Sequence, residues 1–214
     1  MAQAGGIDRD LLVGRLRRLA TLDTTVFEEV RADRSATLPA LLISVCSVLL
    51  AGIGGWLWWM VNGVEEVQGT DIPSSTELFF QSVLVGGIIA FIVGGVWILI
   101  TYVMLSQIFR ARADVGELIR VMGFADAPLA LMVLMFIPGL DFGIGVAVLA
   151  IFFATQVLAV QAATDAPPGR VLAATGAGFA VFAIILGLFV GSGSALAPGF
   201  FALDLPVEVF KDAF

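Results

Sequence analysis

The 214-residue chain is 59% hydrophobic and 14% charged, where an ordinary soluble domain is about 45–50% apolar and about 25% charged. It holds no histidine, a single cysteine and a net charge of −7. That composition excludes an internal disulfide, zinc, haem or iron–sulfur ligation and histidine acid–base chemistry, and it argues against a nucleic-acid partner.

No cofactor is expected. Several apolar runs come near the roughly 20 residues that cross about 30 Å of hydrocarbon, so the chain reads as an all-α integral membrane protein. Residues 1–36 are a charged N-terminal segment without the pattern of a cleavable signal. Within it, "IDRDLLVGRLRRLATL" sets Ile7, Leu11, Leu12, Leu16 and Leu19 at helical spacing, flanked by Arg15, Arg17 and Arg18. Such an amphipathic helix either lies on the membrane surface with its arginines near lipid phosphates or packs on the protein's own polar loops. A second short helix follows in "TVFEEVRADRSAT". Thr25 and Glu28 stand at capping-box spacing there, and Val26, Phe27 and Val30 lie on its buried side.

The first span is expected over about 38–60. Cys46 is a small apolar filler within it, and Trp56, Trp58 and Trp59 mark the headgroup level at its far end. The second, about 79–109, exceeds what a bilayer needs and must tilt or project. The third apolar run, 127–137, is short: as α-helix it would reach only about 16 Å. The third span is therefore taken as 118–138, with a break between Gly123 and Pro128; a re-entrant hairpin of spans three and four is the alternative. Pro138-Gly139-Leu140-Asp141 turns the chain into span four, about 142–162, and "TDAPPGR" leads to span five, about 171–190. The domain reading is thus an N-terminal segment 1–36, a five-span membrane domain 37–192 and a proline-interrupted tail 193–214.

The arginines alternate with these spans. Arg9, Arg15, Arg17, Arg18, Arg31 and Arg34 precede span one, Arg110, Arg112 and Arg120 follow span two, and Arg170 follows span four. Residues 61–78 and the turn after span three carry only acids, and Lys211 in the tail is the exception. The positive-inside rule then places the N-terminus in the cytoplasm and the C-terminus outside. Glycines recur in the spans: Gly52, Gly54 and Gly55 in the first, Gly86, Gly87, Gly94 and Gly95 in the second, Gly187 and Gly191 in the fifth. Small faces allow helices to approach closely. They serve either the bundle's own packing or a partner helix or second copy.

"TVFEEVRADRSATLPALLI" resembles the segment before the first span of bacterial members of the Yip family (Ypt/Rab-interacting proteins). "DVGELIRVMGFADAPLALMVLMFIPGL" is similar to that family's central signature, carried here by Glu117, Leu118, Arg120, Gly123, Phe124, Ala125, Pro128, Ile137, Pro138 and Gly139. "QAATDAPPGRVLAATGAGF" looks like the link into the family's last span. The resemblance covers roughly residues 20–192. It implies a five-span, non-enzymatic membrane protein of the bacterial cytoplasmic membrane. Eukaryotic members are implicated in vesicle trafficking and bind prenylated Rab-type GTPases; this chain lacks their long N-terminal cytosolic domain.

Asp126 is the one carboxylate set deep in the motif. Directly before Ala127-Pro128, it suits the N-cap of a restarted helix. A buried ion pair with Arg120 or Arg112, or a proton or substrate site, are the other readings. Function then divides. A membrane scaffold or interaction protein would pack against lipids, other integral membrane proteins or its own copy. A small transporter, channel or lipid-handling protein would use the broken third span and the polar Thr155, Gln156 and Gln161. An intramembrane enzyme lacks a reactive constellation in the spans.

Overall fold

A computed structural model describes residues 8–62 and 74–191. Ile7, the acidic loop with Glu65, Glu66 and Asp71, and the tail 193–214 with Lys211 lie outside the described residues.

All regular structure among the described residues is helical. Two short helices, α1 (Arg9–Ala20) and α2 (Thr25–Ala32), precede α3 (Thr37–Asn62). The second span joins α4 (Ser75–Phe79), a π-helical stretch Phe80–Val85, α5 (Gly86–Val103) and a second π-helical stretch Met104–Ile108. The third joins α6 (Val115–Ala125) to a 3₁₀ stretch, Ala127–Phe136. Helices α7 (Asp141–Ala163) and α8 (Pro168–Gly191) complete the set. Five of these helical runs are long and apolar enough to cross a membrane: Arg34–Val61, Ser75–Ile108, Val115–Phe136, Asp141–Ala163 and Pro168–Leu188.

The third run resolves the shortage of length. Its chain does not stay α-helical: α6 advances about 1.5 Å per residue and the 3₁₀ stretch about 2.0 Å, a contour of about 16 Å and about 20 Å respectively. It is also the most buried of the five, 56% of its apolar window against 33–39% for the others. The turn after it needs its glycine, because Gly139 sits at φ +77°, a region that side chains with a Cβ avoid.

Contacts divide the chain into two units. Unit 1 comprises Met1–Cys46, Gly95–Ala127 and Ile151–Val181; unit 2 comprises Ser47–Gly94, Pro128–Ala150 and Phe182–Phe214.

In unit 1, Asp8 caps α1, accepting from the backbone N–H groups of Asp10 and Leu11 at 3.1 Å. The helix ends in a Schellman-type turn, Asp23 N–H to Arg18 carbonyl and Leu22 N–H to Leu19 carbonyl. Leucine occupies the left-handed position of that turn, Leu22 at φ 62°. Two arginines of α1 bind carboxylates of the same chain. Arg15, buried, reaches Asp33 at 2.9 Å, and Arg18 joins Asp23 at 2.8 Å and Glu29 at 2.6 Å. The apolar side of α1 stays open, with Leu11 and Val13 exposed and Leu12, Leu16 and Leu19 half-buried. The expected capping box at Thr25 is absent. The helix begins at Thr25 itself, whose N–H and hydroxyl both donate to Asp23 Oδ1. Val26, Phe27 and Val30 of α2 are fully buried and pack on α6.

Also in unit 1, Trp97 of α5 donates its indole N–H to the Thr175 carbonyl at 2.9 Å and lies edge-on to Phe152. Gly178 of α8 packs against that indole so closely that a Cβ would meet Nε1 at 2.8 Å.

In unit 2, close approach dominates. A Cβ on Gly52 would meet the Ser82 carbonyl at 2.7 Å, and Ser82 donates its hydroxyl to the Gly52 carbonyl at 2.8 Å. Gly54 of α3 is pressed on the Met132 and Val133 backbone of the 3₁₀ stretch. The tryptophans have polar anchors. Trp56 donates to the Ser75 carbonyl at 3.1 Å and Trp58 to Asp141 at 3.0 Å, while Ser74 and Glu77 form a capping box on α4.

Candidate functional site

The motif residues divide between the units. Glu117, Arg120, Gly123, Phe124 and Asp126 lie in unit 1; Pro128, Pro138 and Gly139 lie in unit 2. Pro128 falls near the start of the 3₁₀ stretch, where a missing N–H is tolerated.

Asp114 caps α6 by accepting from the Glu117 N–H at 2.9 Å. Glu117 then turns its carboxylate to arginines, Arg112 at 2.7 Å and Arg31 of α2 at 3.9 Å. Arg112 is itself held in the chain, its backbone N–H on Asp165 at 2.9 Å and its carbonyl accepting from Thr164 at 2.7 Å. Arg31 also donates to the Ala162 carbonyl at 2.8 Å.

One turn on, Arg120 is buried and makes no ion pair among the described residues. Its Nε donates to the carbonyls of Val30 and Arg31 at 3.2 Å, and its Nη2 to Arg31 at 2.7 Å. Those are the last turn of α2, where carbonyls lack helical partners and the dipole favours a cation. Gly123 brings α6 against α3: a Cβ there would stand 2.9 Å from the Ala40 carbonyl oxygen. Phe124 is fully buried beside it in sequence.

Asp126 does not cap a restarted helix, nor does it pair with Arg120 or Arg112. It closes α6 at its C-terminal end, and its carboxyl accepts from Ser44 of α3 and, at 2.6 Å, from Gln156 of α7. The N-cap geometry fails because the chain passes from α-helix to 3₁₀ with Asp126 still in the right-handed helical region. Gln156, fully buried, donates also to the Met122 carbonyl at 3.2 Å, while its Oε1 has no hydrogen-bond partner among the described residues. Thr155 adds a hydroxyl bond to the Ala125 carbonyl at 3.1 Å. Three membrane-spanning runs thus meet at one carboxyl group. Gln156 was visible in the sequence as a polar residue in an apolar run; Ser44 carried no such signal.

Outside the spans, the Thr25 hydroxyl and then Arg18 hold the Asp23 carboxyl down at about 2, and Ser35 and then Arg15 lower that of Asp33. Among the described residues no three histidine, cysteine, aspartate or glutamate side chains converge as a metal site. Cys46 is exposed on α3, on one stripe with the exposed Leu42 and Leu50, so it fills no interior gap.

The glycine faces also separate. Gly86 and Gly87 are buried, and a Cβ on Gly87 would meet Leu49 at 3.2 Å. Gly94, Gly95 and Gly187 have nothing within 4 Å of a Cβ, and Gly191 ends α8.

The profile of the Yip1 domain matches residues 22–191, from the end of α1 to the last residue of α8. No curated protein and no solved structure matches the chain. With well over half its length under that match and five helices able to cross a membrane, the chain belongs to the Yip1-domain family of membrane proteins.

Proposed function

We propose that the protein is a non-enzymatic interaction protein of the bacterial cytoplasmic membrane, with its N-terminus cytoplasmic, its C-terminal tail outside, and lipids, other membrane proteins or its own copy as partners. The orientation rests on the arginines, all ten of which stand before span one, between spans two and three or between spans four and five, or within the first six residues of the run that follows. The observation that carries the interaction reading is the bracing of α2. Arg120 closes its last turn, and Arg31 ties it to Glu117 and to the end of α7. A helix pair held in this way is a preformed surface, so a partner need not supply the ordering entropy. Arg9, Arg17 and Arg34 are exposed there and make no ion pair among the described residues. Gly94, Gly95 and Gly187 offer open small faces to a second helix.

The test is purification in native lipid discs with mass spectrometry of the proteins retained. The reading expects a partner or second copy in fixed ratio, released by Gly95→Leu. A chain that always runs alone overturns it.

A second reading, transport or lipid handling, is favoured by one observation: a half-buried carboxyl group within a span, with no ion pair among the described residues. It expects flux in reconstituted vesicles that Asp126→Asn reduces while the protein stays folded. Unchanged flux removes Asp126 from any pathway.

A further inference from the structure

We infer that unit 1 carries a binding groove for the headgroup of a zwitterionic aminophospholipid, of the phosphatidylethanolamine kind. The groove has a volume of about 430 Å³ and runs along α1 and the first turns of α3, with Asp8, Arg15, Asp33, Arg34, Leu38 and Leu41 in its walls. That volume lies within the roughly 300–1,000 Å³ of small-molecule sites.

Its depth suits a headgroup. The first membrane-capable run starts at Arg34 and holds 28 residues. As a helix it reaches about 42 Å, which matches the roughly 40–45 Å of a bilayer with its polar layers. Arg34 therefore stands at the level of the phosphates, and Leu38 and Leu41, both exposed, begin the acyl region.

Its open valences match both charges of the ligand. Arg15 is 8% exposed and its guanidinium is held by Asp33 at 2.9 Å, so it lends the wall positive charge rather than a free donor. Arg34 at the rim has no ion pair among the described residues. Arg34 presents its donors to a phosphate, and Arg15 adds its charge behind it. Both capping bonds to Asp8 fall on Oδ1, which leaves Oδ2 for an ammonium. With two carboxylates beside two arginines the groove is neutral, so a purely anionic lipid gains little there. No aromatic ring lines it, so a trimethylammonium would find no cage. A primary ammonium, which donates hydrogen bonds, fits Asp8.

The inference needs only that the chain is membrane-embedded, so its failure leaves the interaction reading untouched. The test is native mass spectrometry of the delipidated full chain titrated with phosphatidylethanolamine, phosphatidylcholine and phosphatidylglycerol of matched acyl chains. Phosphatidylethanolamine should bind tightest. Arg34→Gln should weaken it by about tenfold, the size of one charge-assisted bond. Asp8→Asn, which retains the capping acceptor, should abolish its advantage over phosphatidylcholine. Both positions are exposed, and an unchanged helical circular-dichroism spectrum and melting temperature of each variant report that the fold is intact. Equal affinity for the three lipids, a preference for phosphatidylglycerol, or unchanged phosphatidylethanolamine binding in both variants overturns the inference.

Discussion

Among the described residues, unit 1 holds ten arginines and ten carboxylates, whereas unit 2 holds Glu77 and Asp141 as its charged side chains. Unit 1 is tied together by side chains that reach across sequence: Arg120 to α2, Glu117 to Arg112 and Arg31, Asp126 to Ser44 and Gln156. Unit 2 relies on backbone brought against backbone at Gly52 and Gly54, with hydrogen bonds from Ser82, Trp56 and Trp58. The difference follows from what each has available. Without charge to pair, membrane helices gain contact by dispersion, and only a missing Cβ permits the distance. Where arginines are plentiful, helix ends and loops can be tied directly.

The comparison breaks first at the glycines. Gly54→Leu in unit 2 and Gly123→Leu in unit 1 both place side-chain atoms into backbone that cannot yield, and each should cost about 3 kcal/mol or more in unfolding from mixed micelles. Gly95→Leu, with open space around it, should leave stability unchanged. If all three behave alike, close approach is not what holds unit 2.

Arg120→Met should cost about 2–3 kcal/mol, because the carbonyls of the last α2 turn lose a charged donor. Its effect should appear as faster hydrogen exchange in α2, with the amides of α4 unaltered. Next in size, Asp126→Ala should cost about 2 kcal/mol by stranding the Ser44 hydroxyl and the Gln156 amide, while Asp126→Asn, which can still accept from Gln156, should cost less than about 1 kcal/mol. Equal losses in the two variants would mean that the group matters for its charge rather than as an acceptor.

The smallest effect is acid sensitivity confined to unit 1. Asp23 is held at about 2, below its ordinary 3.8. A lowered carboxyl favours the folded state above its unfolded value and loses that contribution as pH falls, here between 3.8 and about 2. Asp33 acts in the same direction. The contact of α1 with α2 should therefore loosen over that window, and Asp23→Asn should flatten the part of the pH dependence due to Asp23, as read by exchange of the α1 amides.

Much of the fold was legible in residue order. Apolar runs mark the helices because hydrocarbon must be crossed, and Asp126-Ala127-Pro128 announced an interruption in the third. The kind of interruption was not legible. A 3₁₀ stretch has no composition of its own and is selected by what surrounds it. The partners of Asp126 lie 82 and 30 residues away in sequence, a distance that local pattern cannot bridge. Glycine likewise looks the same whether it faces a backbone, as Gly54 does, or open space, as Gly94 does. For the N-terminal helix, a charged face predicts affinity for water or phosphate equally well; only the positions of Asp33, Asp23 and Glu29 show where Arg15 and Arg18 are directed.

The ten 3₁₀ residues of the third span also set its length. Wound as α-helix, the same residues would measure about 15 Å instead of about 20 Å. The roughly 5 Å between these lengths is similar to the difference in hydrocarbon thickness between a thin endomembrane and a sterol-rich plasma membrane. The span gains that length from its winding, with no residue added.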